Sequence, residues 1–133
     1  MFRILLPLII APLATQANAQ ASPISGEAFE QWVRGQTYYS SRAGEEPYGM
    51  LLYRENRQVT WASLGDECVE GSWSEPIPGV ICFDYPAWGE QYCWQFFTDG
   101  SELYSVFYEG NGDLYYDQPT TDTMPCLAPY LGA

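Results

Sequence analysis

From Gln36 onward, β-branched and aromatic residues alternate with polar ones in short runs broken by Gly, Pro, Asn and Asp. This is the period-two pattern of strands with one buried face. Eight runs can be marked, at 36–42, 48–55, 57–63, 68–74, 79–85, 91–98, 101–109 and 113–118. They predict an all-β domain, an antiparallel meander of about eight strands that is barrel-like or strongly curved. A short N-terminal helix is expected before them. Ser25 is a capping residue, Glu27 falls in the first turn, Phe29, Trp32 and Val33 share one helical face, and Gly35 stops the helix after Arg34.

Turn residues allow the register to be argued. Asp99-Gly100 and Asn111-Gly112 suit two-residue type I′ hairpins, whose central positions both need φ > 0. Centred there, the hairpins set Phe96 opposite Leu103, Trp94 opposite Ser105, Tyr92 and Tyr116 opposite Phe107, and Leu114 opposite Glu109. The inner face then collects Tyr92, Trp94, Phe96, Leu103, Phe107, Leu114 and Tyr116, while Gln95, Glu102 and Asp117 point outward. So many large aromatics favour a filled interior over an open cup. On the expected outer face Phe97, Tyr104, Val106, Tyr108 and Tyr115 form a stripe, and Trp88 sits at a hairpin tip. Trp88, Tyr104, Tyr108 and Tyr115 are therefore the candidate partner-binding residues, since exposed Tyr and Trp offer large, rigid contact area.

The cysteines follow from the same parity. Cys68, Cys82, Cys93 and Cys126 are even in number, and their gaps are too wide for the paired spacing of a zinc site. If Tyr85 pairs with Glu90 around Pro86–Gly89, Cys82 lies opposite Cys93 and can bridge to it, and Ile81 and Phe83 join the inner face. If Ser74 pairs with Val80, Cys68 lies four residues along the strand from Cys82, roughly 13 Å away. That is beyond the bridging limit of about 7 Å. Two disulfides are expected, Cys82 with Cys93 and Cys68 with Cys126.

The first residues read as an export signal. Arg3 precedes the apolar run Ile4–Ala14, and Ala17-Asn18-Ala19 is a small-residue cleavage signature. Residues 1–19 are expected to be a signal peptide, 20–25 a flexible lead and 26–133 a single β domain. The apolar run is about half the roughly 20 residues a membrane span needs, so no membrane anchor is expected after cleavage. The expected location is periplasmic or secreted.

Composition narrows the chemistry. The chain has 133 residues, 17 acids, five basic residues that are all Arg, no His and a formal charge of −12. Without His or Lys there is no Ser-His-Asp or Cys-His nucleophilic site, no His-ligated metal, no Schiff base and no P-loop. Without a basic groove, nucleic acid is not a partner. No cofactor and no metal site is expected. Glu67, Glu70, Glu75, Asp84 and Glu90 are available for carboxylate-only glycoside hydrolysis, but no spacing marks a pair, and an enzyme is not expected. Glu109, Asn111 and Asp113 imitate the start of a calcium loop, yet the required Gly and Glu at its sixth and twelfth positions are missing.

The runs Arg57-Gln58-Val59-Thr60-Trp61, Cys68-x-x-Gly71-x-Trp73, Ile81-Cys82-Phe83-x-Tyr85 and Cys93-Trp94-x-Phe96 resemble a group of small, secreted, uncharacterised proteins of alphaproteobacteria. The resemblance spans about Gly26 to Cys126 and implies export and a disulfide-bearing β domain, with no activity to carry over. Size, export and meander also look like periplasmic inhibitors of lysozyme or of proteases, without their inhibitory loops. That likeness is architectural and does not establish function. The leading expectation is an exported, non-catalytic binding protein, an acidic inhibitor or partner of a basic envelope enzyme. The alternatives are a lipocalin-like carrier of a small apolar ligand and a structural envelope protein. An open interior would favour the carrier.

Overall fold

The computed structural model describes Ala11, residues 21–127 and the backbone of residues 128–130. The expected signal peptide, residues 1–19, lies outside the described residues apart from Ala11. Among the described residues, no helix is long and apolar enough to cross a membrane.

Ser25 caps helix α1 (Gly26–Val33), its hydroxyl accepting the Ala28 amide at 3.1 Å. Gly35, at φ 73°, supplies the left-handed residue that ends it. Glu75 ties the helix to the sheet. Its Oε2 accepts the Gly26 amide at 2.7 Å and the Gly79 amide at 2.9 Å, and these bonds hold its carboxyl below the usual range.

Eight strands follow: β1 (Thr37–Arg42), β2 (Pro47–Tyr53), β3 (Gln58–Ser63), β4 (Val69–Ile77), β5 (Val80–Tyr85), β6 (Glu90–Asp99), β7 (Glu102–Phe107) and β8 (Tyr115–Thr120). Each pairs antiparallel with the next, and β8 pairs with β1 to close a barrel. The expected all-β meander with one short helix and two disulfides is the fold observed. Both pairings, Cys82–Cys93 and Cys68–Cys126, are as expected. Two disulfides belong to an oxidising, extracytoplasmic environment.

Register separates what the turns can and cannot specify. Cys82 faces Cys93 and Tyr85 faces Glu90, as expected. On β4, Ser74 faces Cys82 rather than Val80, a two-residue offset taken up by an irregularity before Ile77. Between β6 and β7, Asp99 pairs with Glu102, so the turn is Gly100-Ser101, with Gly100 at φ 59° in its first central position. That too moves the register by two and leaves every side chain on its expected face.

The β7–β8 connection moves it by three. Leu103 faces Asp117 and Ser105 faces Tyr115, so Tyr115 and Asp117 point inward, while Leu114 and Tyr116 leave the expected inner face. The assignments of Tyr115 to the outer stripe and Asp117 to the outer face are corrected accordingly. Asn111-Gly112 does not centre a tight hairpin. Residues 108–114 form a longer loop in which the Tyr108 amide donates to the Cys93 carbonyl, Glu109 takes φ 59° and Asn111 Oδ1 accepts the Asp113 amide at 3.0 Å. Arg42 pairs with Asp113 across its base. These bonds account for the residues that imitate a calcium loop.

Helix α1 closes one end of the barrel. Fully buried Phe29 meets Trp73 edge-on at 5.0 Å and Tyr53 at 5.6 Å, and lies 4.4 Å from Phe96. Burying that ring is worth about 2–3 kcal/mol. The C-terminal segment lies elsewhere, against the outside of the sheet: Met124 is buried with Met50 and Ala62, with Tyr39, Leu52 and Leu127 packed around them. Cys68–Cys126 secures it there. Among the described side chains, neither element packs on the outer stripe of β6–β8.

Candidate functional site: an aromatic cup

The end of the barrel opposite α1 is hollow, with a cavity of about 190 Å³. Phe83 and Phe96 floor it, Phe83 lying 6.4 Å from Phe29 and Phe96 4.4 Å. The wall and mouth carry Trp61, Tyr85, Trp88, Trp94, Phe107 and Tyr115, with Tyr48 and Tyr92 at the rim. Trp94 stacks on Phe107 at 3.6 Å, and Tyr115 stands edge-on to Trp94 at 5.0 Å. The expectation of a filled interior therefore holds for the α1 end and fails for this one.

Small inward residues make the space. Ser40, Gly49, Gly71 and Ser105 lie at inward register positions. A Cβ on Gly49 would collide with the Trp61 ring, and one on Gly71 would lie 2.7 Å from Tyr85 Cδ1. Both aromatic rings therefore lie against bare backbone instead of crossing the barrel. An irregularity between Ser40 and Ser41 accompanies the placing of Tyr48 at 5.6 Å from Trp61 and 6.2 Å from Tyr115.

Asp117 is the one carboxyl among the described residues lining the cup. It is 8% exposed, and Ser40 Oγ donates to its Oδ1 at 2.7 Å. Burial pushes its pKa up to about 6, opposed in part by the Ser40 bond. Around it stand phenols. Burial first, and the Asp117 charge second, push Tyr38 up to about 12 and raise Tyr48. Tyr85 is raised by burial, with smaller contributions from Tyr48, Tyr92 and Asp117. Tyr53 is raised well above the ordinary phenol value, chiefly by burial, and its hydroxyl is buried with no hydrogen-bond partner among the described residues.

No arginine among the described residues is paired with Asp117. Arg42 pairs with Asp113, Arg54 with Glu70, Arg34 with Glu30 at 3.6 Å, and Arg57 lies 3.9 Å from Glu30 and 4.4 Å above the Trp73 ring.

The four sequence-derived candidates part company. Trp88, 43% exposed, leans over the mouth at 4.8 Å from Tyr85, and Tyr115 lies inside the cup. Tyr104 is outside, stacked on Phe97 at 5.3 Å beside Tyr116, and Tyr108 sits in the β7–β8 loop. Of the five carboxylates considered for hydrolysis, Glu70 bonds Thr60 and Arg54, Glu75 binds backbone, Glu90 accepts the Tyr92 hydroxyl at 2.6 Å, and Glu67 and Asp84 are exposed. None of them lines the cup. Sequence reasoning missed Asp117, Ser40 and Tyr48. The available signal was glycine within strands, at Gly49 and Gly71, which marks a close approach to backbone.

Comparison of the chain with protein-family models, with curated proteins and with solved structures finds no match in any of the three.

Proposed function

We propose that the protein is an exported, non-catalytic barrel that binds a small ligand in this cup, the lipocalin-like carrier role. The observation that carries the reading is an aromatic-lined cavity, open at one end and holding a single buried carboxyl at its wall. Binding pockets are typically concave and apolar with a few placed polar groups, and eight-stranded barrels have room for one small ligand. A cavity of about 150 Å³ in a protein core suffices for benzene, so about 190 Å³ suits a single ring or a compact branched group.

Indole N–H resonances provide the test. Toluene, cyclohexanol, 3,3-dimethylbutan-1-ol and choline should produce saturable shifts at Trp61, Trp88 or Trp94, while Trp73, buried beneath Arg57, stays put. If no probe, neutral or charged, moves a cup indole saturably, the carrier reading fails.

A second reading rests on a different surface. Phe97, Tyr104 and Tyr116 form a half-buried outer row on an acidic protein, which suits docking to a basic envelope enzyme. Capture of a basic partner at low salt should then be lost on a salt step. Retention indifferent to ionic strength would sink this reading.

A further inference from the structure

The cup combines three features that a neutral guest leaves unused. Its lining includes Trp61, Trp88 and Trp94 and Tyr48, Tyr85, Tyr92 and Tyr115, a concentration of electron-rich rings of the kind that attract cations. Asp117 is a buried carboxyl with a hydroxyl partner but no cationic one, since the four arginines of the described residues are all paired outside the cup. The chain contains no lysine, and its net charge of −12 raises the local concentration of cations. An apolar guest would seal Asp117 further from water and gain nothing from its charge, whereas a cation would compensate it.

We propose that the cup selects small organic cations, alkylated ammonium groups of the trimethylammonium type, with Asp117 as counter-ion and the Trp and Tyr faces as the cage. The proposal rests on the carrier reading and names its ligand class. A strongly hydrated metal ion is a poorer match, because the cup offers one carboxylate and otherwise only neutral hydroxyl side chains, and no group of three or more His, Cys, Asp or Glu side chains that could hold a metal occurs among the described residues. A trimethylammonium group has a weakly held hydration shell and a compact, rounded shape that many ring faces can contact together.

Several groups face Asp117 or share its surroundings. They are Tyr38 and Ser40 from β1, Tyr48 and Tyr53 from β2, Tyr85 from β5, Ser105 from β7 and Tyr115 from β8 itself; Glu90 lies beyond, bonded to Tyr92 at the rim. Among those closest to it, serine does not titrate and Tyr38, Tyr48, Tyr53 and Tyr85 are raised above the ordinary phenol value. Asp117 is thus the cup group whose charge changes between pH 5 and 8.

The decisive comparison is choline against 3,3-dimethylbutan-1-ol, its neutral isostere, titrated into the wild-type protein at pH 7.5 by calorimetry and by indole shifts. Choline is expected to bind about tenfold or more tightly, and its affinity should fall as pH drops through 6. In Asp117→Asn the preference should shrink to about threefold or less and lose its pH dependence, through weaker choline binding and an isostere that, no longer sealing a charge from water, binds somewhat more tightly. That substitution changes net charge by a single unit, so a preference due to general acidity would survive it. Trp88→Ala, at a rim position 43% exposed, should weaken choline more than the isostere. Equal binding of the two probes, or a full preference retained in Asp117→Asn, overturns the cation inference and leaves the cup as a neutral site. If neither probe binds, the cation inference falls, and if toluene and cyclohexanol also leave the cup indoles unmoved, the carrier reading falls with it.

Discussion

Replacing Asp117 by Asn should flatten the protein's response to pH. In the folded state the carboxyl titrates at about 6 against an ordinary 3.8. The folded protein therefore holds this proton more tightly than the unfolded chain does. The stabilisation from the neutral carboxyl is fully present below about pH 3.8 and is lost as pH rises through 6. A separation of about two pKa units corresponds to about 3 kcal/mol. For a domain of this size that is a displacement of roughly 10–15 °C in Tm. The other acids impose a slope of their own, so the quantity to follow is the difference between Asp117→Asn and wild type in urea melts from pH 3.5 to 7.5. Asn keeps an oxygen for the Ser40 hydroxyl, and any constant offset from its amide cancels from the slope. The variant should gain about 3 kcal/mol on wild type across that window, most of it between pH 4.5 and 6.5. Parallel curves would show that Asp117 ionises on folding as it does in water, and the account of its buried, uncompensated charge would be wrong.

Three further outcomes are expected. Phe29→Ala should destabilise the fold by about 3–5 kcal/mol in urea melts, because its ring contacts four aromatics at the closed end of the barrel; a loss under 1 kcal/mol would mean that α1 is not a plug. The Cys68–Cys126 bridge spans 58 residues and Cys82–Cys93 spans 11, so removing the first by a double Cys→Ser change should cost about 4 kcal/mol against about 3 for the second. Only the first change should expose Met124 to oxidation by peroxide, read by mass spectrometry. Gly49→Ala should displace the Trp61 ring into the cup, costing about 1–3 kcal/mol and shifting its indole resonance; an unmoved Trp61 would contradict the close approach described.

The barrel was legible in the sequence because errors of two residues do not matter to it. Placing the β6–β7 turn at Asp99-Gly100 instead of Gly100-Ser101 kept Trp94, Phe96, Leu103 and Phe107 on one face. The same tolerance carried the argument that excluded a Cys68–Cys82 bridge, although Ser74 faces Cys82 rather than Val80. The site was not legible, because it depends on an odd shift. Asn111-Gly112 looks like a tight hairpin, and only the Tyr108 and Gly110 amide bonds and the Arg42–Asp113 pair, all tertiary or loop features, lengthen it. That difference turns Asp117 from an expected surface acid into a buried carboxyl lining the cavity. Composition had shown an excess of aromatic residues but not that inward Ser40, Gly49, Gly71 and Ser105 would leave space between them.

The closed floor of the barrel has a consequence for the shape of anything the cup receives. Phe29 seals the end beneath Phe83 and Phe96, and Glu75 pins the start of α1 to the β4–β5 turn, so among the described residues the cup is closed at that end and opens beside Trp88. A chain cannot thread through it. On the carrier reading proposed above, a guest would enter tip first with any longer remainder left outside the mouth, so binding should depend on the terminus of the molecule and not on the length behind it.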